Sequence, residues 1–73
     1  MTRTVTAAPE SHRLEALIRQ RVGWQVDDLQ VLVDERGLIL HGHARSGLGR
    51  QLAETEAARL SGLPVIENVI VVG

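Results

Sequence analysis

The sequence predicts an α+β fold, a two-layer αββαβ arrangement with a three-stranded mixed sheet and both helices packed on one face. Three observations carry that expectation. Residues Leu29 to Ala44 alternate apolar and other side chains on either side of a polar turn, which reads as a β-hairpin. Stripes of apolar residues at three-and-four spacing lie before and after it, as helices require. The chain closes on Val65 to Val72, almost continuously apolar and β-branched, which reads as a third strand.

Seventy-three residues make one domain, and a chain this short buries only roughly 60% of its unfolded surface. There is no cysteine, so neither disulfides nor thiolate metal sites can reinforce the core. The net charge is −1 and all eight basic residues are arginines, spread from Arg3 to Arg59. That balance argues against a strongly basic nucleic-acid protein. No apolar run approaches the ~20 residues of a membrane span, so no transmembrane segment is expected. The N-terminus has no continuous apolar core of a secretory signal, so the chain as written reads as cytoplasmic.

Residues 1–8 are small, polar and Thr-rich, and a flexible tail is expected over 1–10, with one domain over 11–73. A short extra strand around Val5 is only weakly indicated. From Pro9 a helix is expected, with proline in its first turn and Glu10 near the positive end of the dipole. Leu14, Leu17, Ile18 and Val22 form its apolar stripe, and Gly23 stands where a left-handed residue commonly ends a helix. Trp24 follows, and plugging the end of the core is the role it is expected to fill first.

The hairpin comes next, with Asp34 to Gly37 as its turn. Val33 then faces Leu38, Val31 faces Leu40 and Leu29 faces Gly42, all on one side of the sheet and continued by Ala44. Gly37 suits a left-handed closing residue. Asp27 and Asp28, just ahead of the hairpin, are expected to shape a turn. Ser46 is a good N-cap for the second helix, whose buried stripe is Leu52, Ala53, Ala57 and Leu60. The two alanines predict a close approach to the sheet. Gly62 stops the helix and Pro64 prevents its resumption. In the last strand Ile66, Asn68, Ile70 and Val72 share one face, and Val65, Glu67, Val69 and Val71 share the other. A whole helix between the second and third strands is the connection a parallel pair needs. One sheet face is then left without a covering layer.

These residues resemble a known family, the BON domain of bacterial osmotic-shock and nodulation proteins. The resemblance is carried by Leu29-x-Val31-x-Val33, by Gly37-Leu38-x-Leu40-x-Gly42-x-Ala44-x-Ser46, by Ala53 and Ala57, and by Gly62-Leu63-x-x-Ile66-x-Asn68-x-Ile70-x-Val72. It spans about residues 11 to 72. Ala44 departs from the family's tendency to valine, and Gly47 and Gly49 add two glycines at the start of the second helix. The resemblance implies a small non-enzymatic adaptor, often in the bacterial envelope, that contacts phospholipid or partner proteins.

The open sheet face is the first candidate site. Leu32 and Ile39 sit opposite each other on it, Val69 and Val71 join from the third strand, and His41, His43, Gln30 and Glu67 surround them. An apolar cluster rimmed by polar groups marks an interaction surface, here for self-association or a partner domain. His41 and His43 point the same way and supply at most half of a zinc site, which needs about four ligands. Solvated strand residues are the simpler reading, with pH sensitivity of an interface a lesser one. No metal or cofactor is expected.

Helix 1 with Trp24 is the lipid candidate: Arg13, Arg19 and Arg21 are placed for anionic headgroups, and Trp24 suits an apolar–water boundary. Arg45 to Arg50 form a glycine-containing turn into the second helix, but the spacing and the missing Lys-Ser/Thr do not fit a phosphate loop. Nor do its glycines have the spacing of a KH-domain loop, so helix capping is the expected role. No nucleophile–base pair and no acid pair in a pocket is legible, which disfavours an enzyme. A single tryptophan and a net negative charge disfavour nucleic-acid binding. The sequence therefore points to a contact module for anionic phospholipid or a protein partner, with homo-oligomerisation through the sheet face as the alternative.

Overall fold

The computed structural model describes residues 9–73; residues 1–8 of the expected tail and the short strand considered near Val5 lie outside the described residues, while Pro9 and Glu10 fall in the first helix. Helix α1 runs over Pro9–Val22 and is followed by a single 3-10 turn over Gly23–Gln25. Strands β1 (Val26–Asp34) and β2 (Gly37–Ala44) form the hairpin, helix α2 spans Gly47–Ser61, and strand β3 spans Val65–Val72. The sheet order is β1-β2-β3, with β1 antiparallel and β3 parallel to the central β2. This is the mixed three-stranded sheet that the pattern predicts.

Local signals account for the element ends. Ser46 is extended and its hydroxyl accepts from the Gly49 N–H at 3.3 Å, as an N-cap should. Gly62 closes α2 in the left-handed region at φ 73°, donating its N–H to Ala58 at 2.9 Å. Asp34 shapes the hairpin turn by accepting from the Arg36 N–H at 3.0 Å.

The core lies between the helices and one face of the sheet. Ile18 and Val22 of α1, Ala53 and Ala57 of α2, and Leu29, Val31, Leu38, Leu40 and Ile70 of the sheet are buried together with Val26 and Ala44. Ala53 and Ala57 are fully buried, so α2 does sit close to the strands. Leu14, Leu52, Leu60 and Val65 pack around this cluster.

Several expectations need correction. Leu29 stands opposite Gly42 as expected but shares that place with Asp28: the register shifts between Asp27 and Gln30, where Asp28 takes φ 54°. This extra residue reverses the alternation, so that Val26 and Leu29 both reach the core although three positions apart. Asp27 and Asp28 thus lie within β1 at a bulge rather than at a turn before it. A second shift, between Leu38 and Ile39 against β3, pairs Val65 with inward-facing Leu38 and turns Val65 to the core instead of the open face. Val33, Leu17, Ile66 and Val72, expected inward, are exposed. Val33, Ile66 and Val72 stand near strand ends, and Leu17 lies at the margin of the helical stripe. Gly37 has φ 155°, outside the αL region expected but still a positive torsion that favours glycine. Trp24 does not plug the core; its side of the molecule is solvent.

Candidate contact surfaces

Two surfaces stand out, the uncovered face of the sheet and the end of the molecule that carries Trp24. On the sheet face, three rows cross the strands in the order β1, β2, β3. The first is Leu32, Ile39, Glu67; the second is Gln30, His41, Val69; the third is Asp27, His43, Val71. Leu32 and Val69 are each 46% exposed and Val71 is 55% exposed, whereas Ile39 is half-buried by its neighbours. The apolar cluster read from the sequence is therefore assembled in space, but as two pairs at opposite corners with His41 between them. His43 is exposed and His41 half-buried. Among the described residues no group of three or more His, Cys, Asp or Glu is placed to hold a metal ion.

The edges of this sheet are occupied by side chains. On β1, Arg19 donates to the Leu29 carbonyl at 3.1 Å while Glu15, bonded to Arg19 at 2.8 Å, accepts from the Val31 N–H at 3.5 Å. On β3, Arg50 donates to the Asn68 carbonyl at 3.0 Å, and the Asn68 side chain accepts from the Ile70 N–H at 3.1 Å. The Asn68 amide also donates to Glu54 at 3.0 Å, in a shallow polar groove between α2 and β3. Both free edges thus have their outward backbone groups filled at mid-strand, which is how native sheets resist strand addition. Neither pair was legible in the sequence, because each joins a helix to a strand backbone and the pairing depends on register.

At the other surface, Trp24 is 73% exposed and Leu48 is 70% exposed, the two largest exposures among the big apolar residues described. They belong to one end of the molecule. The 3-10 turn that carries Trp24 abuts the first turn of α2, where a Cβ on Gly49 would come within 3.0 Å of the Gln25 carbonyl oxygen. Arg45 ties this end together. Its backbone N–H donates to Gln25 at 3.0 Å and its Nε to the Trp24 carbonyl at 2.9 Å. Its guanidinium lies 5.9 Å from the centre of the Trp24 ring and 3.5 Å from the Asp27 carboxylate.

The arginines expected to meet lipid divide into two groups. Arg13 and Arg21 are exposed on α1. Arg19 is committed to the β1 edge through Glu15 and Leu29. Arg45, next to Trp24, was missed as a member of this end, since a contact across 21 positions leaves no local signal. In the turn from Arg45 to Arg50, Ser46 caps the helix, and both flanking arginines point their charges elsewhere, Arg45 to Asp27 and Arg50 to Asn68. No helix among the described residues is long and apolar enough to cross a membrane.

No family model matches the chain, and no curated protein or solved structure matches it either.

Proposed function

We infer that this domain is a BON-like, non-enzymatic contact module that attaches to anionic phospholipid surfaces through its Trp24 end. The observation that carries this reading is the 73% exposure of Trp24, the only aromatic residue of the chain. An indole left in water forgoes one of the largest burial gains a side chain can make. At a bilayer interface the same ring meets apolar chains on one side and headgroups on the other. Leu48 adds a second apolar side chain to this end, and Arg21 a cation.

Because Arg45 is already paired with Asp27, little net positive charge remains here. Attachment then depends more on the indole than on Coulomb attraction, and moderate salt weakens it only modestly.

The lone tryptophan makes the test direct. Its emission should shift to the blue on titration with phosphatidylglycerol-containing vesicles, and Trp24→Ala should abolish co-sedimentation with them. Emission that does not change, or binding that survives Trp24→Ala combined with Arg21→Ala, would overturn the reading.

A further inference from the structure

We propose that Arg45 is the headgroup ligand of the Trp24 end, taking a phosphodiester of an anionic lipid on the tip of its guanidinium, and that Asp27 is the competing anion that sets how strongly it does so. The proposal rests on the lipid reading of this end and assigns its ligand and its headgroup selectivity. It starts from how the donors of one side chain are shared. Nε of Arg45 is spent on the Trp24 carbonyl at 2.9 Å. Nη2 reaches Oδ2 of Asp27 at 3.5 Å, longer than a well-formed hydrogen bond. Nη1 has no hydrogen-bond partner among the described residues.

The bond to Nε anchors the guanidinium and leaves its terminal edge, Nη1 and Nη2, a pair of donors that matches two oxygens of a phosphate. The ion pair with Asp27 is open to water on both sides, with the two side chains 58% and 56% exposed. Exposed pairs contribute little, so an arriving phosphate displaces the carboxylate at small cost. Depth agrees as well. An indole at a bilayer interface lies at the level of the headgroups, and the guanidinium stands 5.9 Å from the centre of this one. Arg19 and Arg50, by contrast, are tied to the two sheet edges.

While Asp27 holds Nη2, this end is close to neutral and distinguishes little between anionic and zwitterionic surfaces. Asparagine at 27 keeps the shape and an oxygen for Nη2 but removes the charge. Arg45 then stands beside the indole as an unneutralised cation. Asp27 is therefore the residue that limits selectivity for anionic headgroups.

The test is a partition measurement on the full chain, read by Trp24 emission, with vesicles of phosphatidylcholine and with vesicles that also contain phosphatidylglycerol. Asp27→Asn should tighten binding to the phosphatidylglycerol vesicles about fivefold, the contribution of one unneutralised arginine near an anionic surface, and change binding to phosphatidylcholine less than about twofold. Removing any carboxylate helps somewhat at an anionic surface. The deciding comparison is therefore the same substitution in the Arg45→Gln background, where the gain should fall below about twofold. A reading that needs no variant is the Arg45 Nε–H resonance of the unaltered chain, which should move on addition of phosphatidylglycerol bicelles. Inorganic phosphate should release no more of the domain from vesicles than chloride does at equal ionic strength. An unaltered chain whose emission ignores both vesicles would overturn the lipid reading and this proposal together. Where that chain does bind, an unchanged affinity for Asp27→Asn, an equal gain in both backgrounds, or an unmoved Arg45 resonance would overturn this proposal alone. Release by phosphate beyond the chloride control would overturn the lipid as the source of the anion.

Discussion

The backbone at Gly37 runs directly beneath the carbonyl oxygen of Pro64, and Leu38 donates its N–H to that same oxygen at 2.8 Å. A Cβ on Gly37 would stand 2.3 Å from this oxygen, so the link that seats β3 beside β2 requires glycine there. Gly37→Ala should therefore cost about 2–4 kcal/mol in urea unfolding, through overpacking added to an unfavourable torsion. Gly47→Ala is the matching control: nothing lies within 4 Å of its Cβ position. It should be neutral or stabilise by about 0.5–1 kcal/mol, because alanine restricts the unfolded chain. The glycine at 37 was visible in the sequence as a turn signal, but its reason was not. The close approach comes from Pro64, which is 27 positions away and across a helix.

At the scale of elements, both helices, the hairpin and the last strand were legible because each carries its own periodicity and end signals. Ser46, Gly62 and Pro64 marked α2, and alternation marked β1 and β2. What could not be read was where alternation breaks. The bulge at Asp28 is set by Gly42 opposite it, where a Cβ would meet the Asp27 carbonyl oxygen at 3.1 Å. The shift at Leu38 and Ile39 belongs to the pairing with β3. Each break moves residues between faces, which is why Val65 was expected on the open side. The helix-borne pairs at the sheet edges are likewise products of tertiary packing. Their role has a measurable consequence: replacing Glu15 and Arg19 together with alanine should leave the secondary structure intact and lower the onset temperature of aggregation in light scattering. An unchanged onset would show that the β1 edge needs no cover.

Taken whole, the molecule buries one side of its sheet and leaves the other side and one end apolar and open. The candidate sheet face was legible almost entirely, since Leu32, Ile39, His41, His43, Val69 and Val71 follow from alternation alone. Its arrangement into two corner pairs required the registers. At the Trp24 end, the exposure of Trp24 goes against the first expectation, that it plugs the core, and Leu48 and Arg45 join it only through the contact of the 3-10 turn with α2. Helix α1 and the Trp24 end thus contribute Arg21 and Trp24 to one surface and Arg19 to another. The measurement that tests the account most directly is an amide NMR titration of the labelled domain with phosphatidylglycerol-containing bicelles. The account predicts shifts gathered at Arg21 to Gln25 and at Arg45 to Leu48, with Ile39, His41 and Val69 unmoved at fixed protein concentration. A flat titration, or shifts centred on the open sheet face, would contradict it.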